Sequence, residues 1–197
     1  VCMTLGEYLT GHAVWHEIGG HGNQPMLRQF RAHGLDAERC AALERRSGGY
    51  NRGVPSLTTR YQRLVAADRL ATGPHLREVR VGYGHSPEHA ALYSRELGVL
   101  ISGDMLLPKI STNISVFAVT PMADSLADYL RSIDAYRELP AETLVLPSHG
   151  LPFYGIEGRV DALHAHHEER LLALEERCGS PQSAADLLMA LFSRDLD

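Results

Sequence analysis

The chain has 197 residues, of which 44% are hydrophobic and 22% charged. This composition is typical of one globular domain, or of one domain and part of a second, and it excludes a disordered chain, a collagen-like fibre and a disulfide-rich miniprotein; no apolar run is long enough for a membrane-spanning helix. The net charge is −5, with the whole acidic excess in residues 156–197, which argues against a non-specific nucleic-acid-binding surface.

The first part of the chain predicts short helices after a brief strand. Residues 1–3 have strand character, and Thr4 and Glu7 have the spacing of a capping box at the start of a helix. Two consecutive glycines, Gly19 and Gly20, end that helix. Further helices are predicted at residues 25–32, 36–47 and 58–66, with a loop at residues 50–57.

The second part of the chain changes to alternating and apolar strand patterns. Strands are predicted at residues 77–84, 89–94, 98–102 and 143–147, an irregular stretch at 105–119, and helices at 120–139, from 158 onward, and after a Ser180 cap. This order predicts an α/β layer with helical attachments. We expect one domain over residues 1–155 and a helical extension over residues 156–197.

Three polar residues of the kind that bind metal ions stand directly after predicted strands. His85, Asp104 and His149 each follow a different strand, and each has a glycine beside it. Strand ends that face one edge of a sheet converge on a common site, and glycines allow the sharp turns that a ligand loop needs. Two imidazoles and a carboxylate suit zinc, manganese or iron. Taken singly, each residue is more often a loop or capping residue than a metal ligand.

Other histidines offer weaker alternatives. His12 and His16 share one helix face, but their aromatic neighbours favour a core or interface role over metal binding. Three more histidines lie on a predicted acidic helix, where a solvated face is the simpler interpretation: His164, His166 and His167.

Three linked strings resemble motifs of the metallo-β-lactamase fold. GHSPEH at residues 84–89 resembles its third ligand motif, LISGD at residues 100–104 its strand ending in a bridging aspartate, and LPSHG at residues 146–150 its last histidine motif. The resemblance covers residues 75–155 in detail and implies that fold's αβ/βα layers. The helices after residue 158 resemble the start of the winged-helix-like extension of hydroxyacylglutathione hydrolase-like members.

The resemblance implies a role for each residue. His85 would bind a first metal ion, Asp104 would bridge two ions and act in catalysis, and His149 would bind the second; His89 would lie behind these ligands. Zinc, or else iron or manganese, is the implied cofactor. The family's H-x-H-x-D-H sequence is absent from these 197 residues. We therefore expect it upstream of Val1, and this chain to be the C-terminal portion of the fold with part of a dinuclear site.

The function predicted for the complete protein is metal-dependent hydrolysis of a small ester, thioester or related acyl compound by an activated water. A phosphodiester or RNA hydrolase of the same fold is one alternative, and a non-catalytic binding module without a full metal site is another. Loop residues Lys109 and Asn113 are candidates to meet an anionic group of the substrate, although a solvated loop is the simpler interpretation.

The cysteines, the charge and the strand edges also bear on where the protein is located and what it binds. The chain has three cysteines and no C-x-x-C pair: Cys2, Cys40 and Cys178. This usage is typical of reduced thiols in a cytosolic protein. We expect no membrane partner, and nucleic acid is disfavoured by the charge. Unpaired strand edges would favour a homodimer.

Overall fold

The computed structural model describes residues 1–45 and 49–192. In chain order these residues form β1 (Cys2–Met3), α1 (Leu5–Trp15), α2 (Asn23–Ala32), α3 (Ala37–Arg45), α4 (Gly49–Gly53), β2 (Gln62–Arg63), β3 (Arg69–Thr72), β4 (His75–Gly82), β5 (His89–Ser94), β6 (Val99–Gly103), α5 (Ser125–Asp134), a 3₁₀ helix (Ala135–Glu138), β7 (Leu144–Pro147), α6 (Ile156–Arg177) and α7 (Ala184–Leu191). Across this described part, no helix combines the length and apolar character that crossing a membrane requires.

The principal sheet has five strands in the order β3-β4-β5-β6-β7. Strands β3 to β6 are joined antiparallel, whereas β6 and β7 pair in parallel. The strands β4, β6 and β7 therefore run in the same direction and end at the same edge of the sheet. A separate parallel pair joins β1 to β2, with Cys2 opposite Gln62.

A helical layer covers one face of the five-stranded sheet. The strands contribute fully buried side chains such as Ala91, Leu100 and Val145, and these pack in one cluster with Tyr129 of α5 and Val160 of α6. Burying such side chains stabilises the fold by about 1.5–3 kcal/mol each. The apolar strand β6 is less enclosed on its other face, where Ile101 is 38% exposed.

The four strands predicted in the second part of the chain are confirmed within two residues at each end. The predicted starts of α1 and α6 are confirmed within two residues, but α1 ends at Trp15, before the predicted end at Gly19 and Gly20. The turn at Gly73 and Pro74 proves to join β3 to β4. The predicted stop of the third helix is at residues 47–49, of which 47 and 48 lie outside the described residues.

Several local predictions are wrong. Residues 58–66 form no helix; they contain β2, whose backbone partner β1 lies 60 positions away. The predicted loop at 50–57 begins with the short helix α4, and α5 starts at Ser125, capped by Asp124. Helix α7 is capped by Ser183, in a capping box with Asp186, instead of by Ser180.

The first turn of α1 is capped from a distant segment. Thr4 Oγ1 donates to the carbonyl of Glu88 at 2.7 Å, and the amide of Gly6 donates to the Glu88 carboxylate at 2.8 Å. Glu7 accepts a bond from the Glu88 amide at 3.3 Å. The predicted local capping box between Thr4 and Glu7 is therefore replaced by a tertiary cap from the segment that follows His85.

The chain divides into two compact units. One comprises residues 1–12, 57–116 and 120–163 and contains the five-stranded sheet; the other comprises residues 13–56, 117–119 and 164–197 and is helical where it is described. In the helical unit, the amide of Ala185 donates to the carbonyl of His33 at 3.1 Å. The sequence-based boundary between residues 155 and 156 stays a prediction.

Candidate metal centre

The common edge at which β4, β6 and β7 end carries the three predicted ligand residues. His85 stands three positions after β4, Asp104 directly after β6, and His149 two positions after β7. The parallel pairing of β6 with β7 is tightened beyond the strands, since the amide of Ser148 donates to the carbonyl of Gly103 at 3.1 Å.

The two histidines face the two oxygens of one carboxylate. His85 Nε2 lies 3.5 Å from Asp104 Oδ2, and His149 Nε2 lies 3.4 Å from Asp104 Oδ1. Their side-chain exposures are 22% for His85, 30% for Asp104 and 67% for His149, so the group opens to solvent on the His149 side. The structure thus brings together residues that are 19 to 64 positions apart in the chain.

Glycine conformations make this convergence possible. Gly84 has φ of +94°, and a β-carbon there would lie 2.4 Å from the carbonyl oxygen of Ser125. Gly103 has φ of +55°, and a β-carbon there would lie 2.6 Å from the ring of His89. Both positions require a residue without a side chain, because the backbone is left-handed and the space is already filled.

The ring of His85 is held through its other nitrogen. Nδ1 lies 2.8 Å from the carbonyl oxygen of Asn113 and 3.0 Å from Thr112 Oγ1. A carbonyl oxygen only accepts, so Nδ1 of the neutral ring carries the proton and the Nε2 lone pair is directed to the Asp104 side. Orientation of a ligand imidazole by a backbone carbonyl is common at metal sites.

The carboxylate of Asp104 is also held by a neighbour. Ser148 Oγ donates a short hydrogen bond to Asp104 Oδ1, the oxygen that His149 faces. Together with the bond between the Ser148 amide and Gly103, this joins the ends of β6 and β7 at two points. Sequence analysis did not single out Ser148 for this contact, although its place inside the LPSHG string was an available signal.

His89 lies behind the group. Its ring centroid is 6.0 Å from that of His85, and its buried Nδ1 has no hydrogen-bond partner among the described residues. Burial, followed by the nearby His85, lowers the pKa of His89 below its usual value, so the neutral ring is favoured. The role of His89 behind metal ligands, which the resemblance implies, stays a prediction.

The loop after Asp104 is anchored to both helices of the covering layer. The hydroxyl of Tyr129 on α5 donates to the Met105 carbonyl at 3.2 Å, and Arg159 on α6 donates to the carbonyls of Leu107 and Ile110. Burial raises the pKa of Tyr129 to about 12, so its hydroxyl remains a donor at neutral pH. No local pattern identifies these anchors, because they bind backbone carbonyls of a distant segment.

The alternative histidine groups have other partners. His12 Nε2 lies 3.0 Å from the Thr58 carbonyl oxygen, and its ring packs on Tyr8. His12 is half-buried and His16 is exposed, so neither lies in the core, and the alternative interface role stays a prediction. On α6, His166 Nε2 accepts a bond from Arg170 at 3.1 Å, which occupies the lone pair that a metal ion would use. The three α6 histidines are half-buried, so the predicted fully solvated face is wrong.

A second concave region lies at the opposite end of the sheet. A shallow cavity of about 420 Å³ is lined by residues including Leu76, Glu78 and Tyr93. Its carboxylate Glu78 is paired with Arg80 at 2.9 Å. This cavity is at the start of β4, whereas His85 follows the end of that strand.

The donor set fits a metal ion in its chemistry. The Nε2 atoms of His85 and His149 and the carboxylate of Asp104 are borderline and hard donors of the kind that zinc and iron accept. Within residues 1–45 and 49–192, no group of three or more His, Cys, Asp or Glu side chains has the arrangement of a formed metal site. In the observed geometry, the three side chains lie close together and the two Asp104 oxygens lie between the two imidazoles.

Comparisons with known proteins show one matching family and closely similar solved structures. The family profile described as the metallo-beta-lactamase superfamily matches residues 11–149. A crystal structure of a beta-lactamase domain protein from Burkholderia ambifaria is 43% identical, with a TM-score of 0.82, over 98% of this chain and 53% of that one. A metallo-beta-lactamase family protein from Thermus thermophilus is 30% identical, with a TM-score of 0.80, over 98% of this chain and 61% of that one. The chain thus spans less than two thirds of the length of either protein.

Proposed function

The chain belongs to the metallo-β-lactamase superfamily, and we propose that His85, Asp104 and His149 are metal ligands of a hydrolase that acts on a small ester, thioester or related acyl substrate. Members of this superfamily are generally metal-dependent hydrolases that bind one or two ions, zinc or iron. The convergence of both imidazoles on the carboxylate of Asp104 is the observation that carries the proposal.

The chain's own residues supply binding and orientation. When bound, such an ion supplies Lewis acidity, which polarises a scissile carbonyl and lowers the pKa of a water molecule. His85 presents Nε2 because its Nδ1 proton is used by Asn113. Asp104 would balance the positive charge of the ion and align the attacking water, and the hydrogen bond from Ser148 fixes the rotation of the Asp104 carboxylate.

Direct attack by water fits the surroundings of the neighbouring serines. Ser102 is fully buried and its hydroxyl donates to the Leu106 carbonyl at 2.9 Å, and the Ser148 hydroxyl donates to Asp104. Each of these hydroxyls therefore donates to an oxygen and not to a histidine base, unlike the nucleophile of a serine hydrolase. These contacts support a mechanism without a covalent serine intermediate.

An acyl substrate is favoured by the loops beside the group. Ile110 follows Asp104 in one loop and is 58% exposed, and Leu151 follows His149 in another and is 80% exposed. Exposed apolar side chains in the loops that follow two of the candidate ligands would suit the hydrocarbon part of an acyl compound. The predicted contact of Asn113 with substrate is less favoured, since its side chain donates to Ser115 Oγ at 2.9 Å.

The test uses the protein produced from its natural reading frame. We expect bound zinc or iron by elemental analysis and hydrolysis of a panel of thioesters and esters. Asp104→Ala should lower turnover by about 100-fold or more, because loss of a ligand should cost more than loss of an outer partner of a ligand. The circular dichroism spectrum of this variant should be unchanged. Full activity in this variant contradicts the role of Asp104.

Two other outcomes would replace the proposal. Cleavage of RNA or of a model phosphodiester, with no cleavage of the ester panel, would establish the phosphodiesterase alternative. Absence of bound metal, with His85 and His149 intact, would support a binding module instead.

A further inference from the structure

One arginine of helix α6 holds the middle of the loop that follows Asp104. Arg159 Nε donates to the carbonyl of Leu107 at 2.6 Å, and its Nη2 donates to the carbonyl of Ile110 at 2.8 Å. A planar guanidinium presents its donors in a fixed fork, so two bonds to carbonyls three residues apart fix both the position and the curvature of the segment.

The segment held by Arg159 contacts the surroundings of both histidines. Beyond Ile110 the chain continues directly to Thr112 and Asn113, whose oxygen atoms lie 3.0 and 2.8 Å from His85 Nδ1. Pro108, between the two anchored carbonyls, packs so tightly on Gly150, the residue after His149, that a β-carbon there would lie 2.7 Å from its ring.

The start of the loop has separate supports. The carbonyl of Met105 accepts a bond from Tyr129, and the amide of Met105 donates to the carbonyl of Ser102 at 3.2 Å. Met105 and Leu106 are also fully buried. The part that depends on Arg159 is therefore residues 107–113, and not the two residues directly after Asp104.

We propose that Arg159 is a positioning residue for the candidate metal centre: by holding residues 107–113, it keeps the Asn113 carbonyl on His85 Nδ1 and so directs His85 Nε2 towards Asp104. The inference rests on the proposed function for its consequence, since orientation of His85 matters if His85 binds metal. Arg159 itself is separated from the centre by the loop and acts through it.

The test uses the metal-free chain first. In Arg159→Met, we expect faster amide hydrogen exchange at the residues of 107–113 other than Pro108, which has no amide hydrogen, and unchanged exchange at Met105 and Leu106. The ¹⁵N chemical shifts of the His85 ring, recorded at pH 8, should change from those of a single Nδ1–H tautomer to those of a mixture of the two tautomers. The His85 signals are assigned by their loss in His85→Asn.

Two variants complete the design. Arg159→Lys keeps the charge but offers a single ammonium in place of the fork, so it should give intermediate exchange and tautomer ratios. Arg137→Met is the matched control, because Arg137 pairs with Asp134 and Asp161 at the surface and its bonds do not involve the loop. It should match the wild-type chain in both measurements.

Zinc affinity links the positioning role to the site. We expect about a tenfold loss in Arg159→Met, as is typical when an outer partner of a ligand is removed, and no loss in Arg137→Met. An unchanged His85 tautomer and unchanged exchange in folded Arg159→Met and Arg159→Lys would overturn the positioning role. A wild-type chain that binds no zinc, while Arg159→Met still shifts the tautomer, would overturn the proposed function and leave the positioning of His85 established.

Discussion

Two parts of the molecule carry groups of histidines, and the atoms around them differ. At the edge of the sheet, His85 and His149 come from separate strand ends and their Nε2 atoms face one carboxylate. On helix α6, His166 and its neighbours come from one helix, and an arginine donates to His166 Nε2. The histidines that are close in sequence, on α6, have the cationic Arg170 as a neighbour. The histidines that the sheet brings together, His85 and His149, have the anionic Asp104 between them.

The difference shows what a candidate metal centre needs beyond its residue types. The positive charge of Arg170 opposes binding of a cation near His166, while the negative charge of Asp104 favours it between His85 and His149. The lone pair of His166 is engaged, and that of His85 is directed to the carboxylate by the bond at Nδ1.

The largest expected effect is on zinc affinity of the chain. His85→Ala and His149→Ala each remove one donor, and each should lower affinity by about 100-fold or more, exceeding the loss of an outer partner. His166→Ala on α6 is the matched control and should leave affinity unchanged. Competition with a chromophoric chelator measures all three. A loss in His166→Ala equal to that in His85→Ala would break the comparison between the two groups.

A pair of glycine substitutions tests how tightly the sheet edge is determined. Gly98 and Gly103, at the two ends of β6, have φ of +61° and +55°, but a β-carbon at Gly98 would meet no atom within 4 Å. Gly98→Ala should therefore cost about 1 kcal/mol for the left-handed backbone alone. Gly103→Ala should cost roughly 1–3 kcal/mol more, because the new β-carbon overlaps the ring of His89. Urea unfolding gives both values, and equal losses would show that the packing of His89 is irrelevant.

The smallest expected effect concerns pH and the α6 group. The pKa of His167 lies below 6.5 in the folded chain. The main cause is burial of the ring, and the nearby His166, Arg170 and His164 lower the pKa further. The unfolded chain therefore binds the proton more readily, and this contribution to the free energy of unfolding is present above pH 6.5 and declines as pH falls through the folded pKa. In Arg170→Met one repelling charge is gone, so the acid decline should be shallower.

The slope of stability against pH is the measurement, since Arg170 also donates to the Leu191 carbonyl and lies 5.8 Å from the Phe192 ring. Loss of those contacts lowers stability at every pH and leaves the slope unaffected. Arg137→Met should retain the wild-type slope between pH 5 and 7, because the partners of Arg137 are the carboxylates of Asp134 and Asp161 and not histidines. A slope in Arg170→Met equal to that of the wild-type chain would contradict the role of Arg170.

Much of the strand-bearing part followed from local sequence. Alternation and short apolar runs located β4 to β7, and the position of His85, Asp104 and His149 after strands predicted that they meet at one edge. That inference works because the direction of strands in a sheet restricts where their ends lie.

What local sequence missed depends on distant partners. The pattern in residues 58–66 predicted a helix, but pairing of Gln62 with Cys2 gives a strand instead. The contacts of Arg159 with Leu107 and Ile110 involve backbone carbonyls, which every residue possesses, so no side-chain pattern could reveal them. Likewise, Glu88 replaces the expected local cap of α1 from a segment more than 80 positions away.

The parallel pairing of β6 with β7 also has a kinetic consequence. Val99 lies opposite Leu144, so the pairing can form only after the intervening segment has closed into a loop. For about 40 residues, the entropy of closure costs about 3 kcal/mol beyond a constant term, while the hairpins formed by β3 to β5 close short turns. We therefore expect the hairpins to fold first and His149 to approach Asp104 only in the last stage of folding. The contact between His149 and Asp104 then reports on the native state and is absent from earlier, partly folded states.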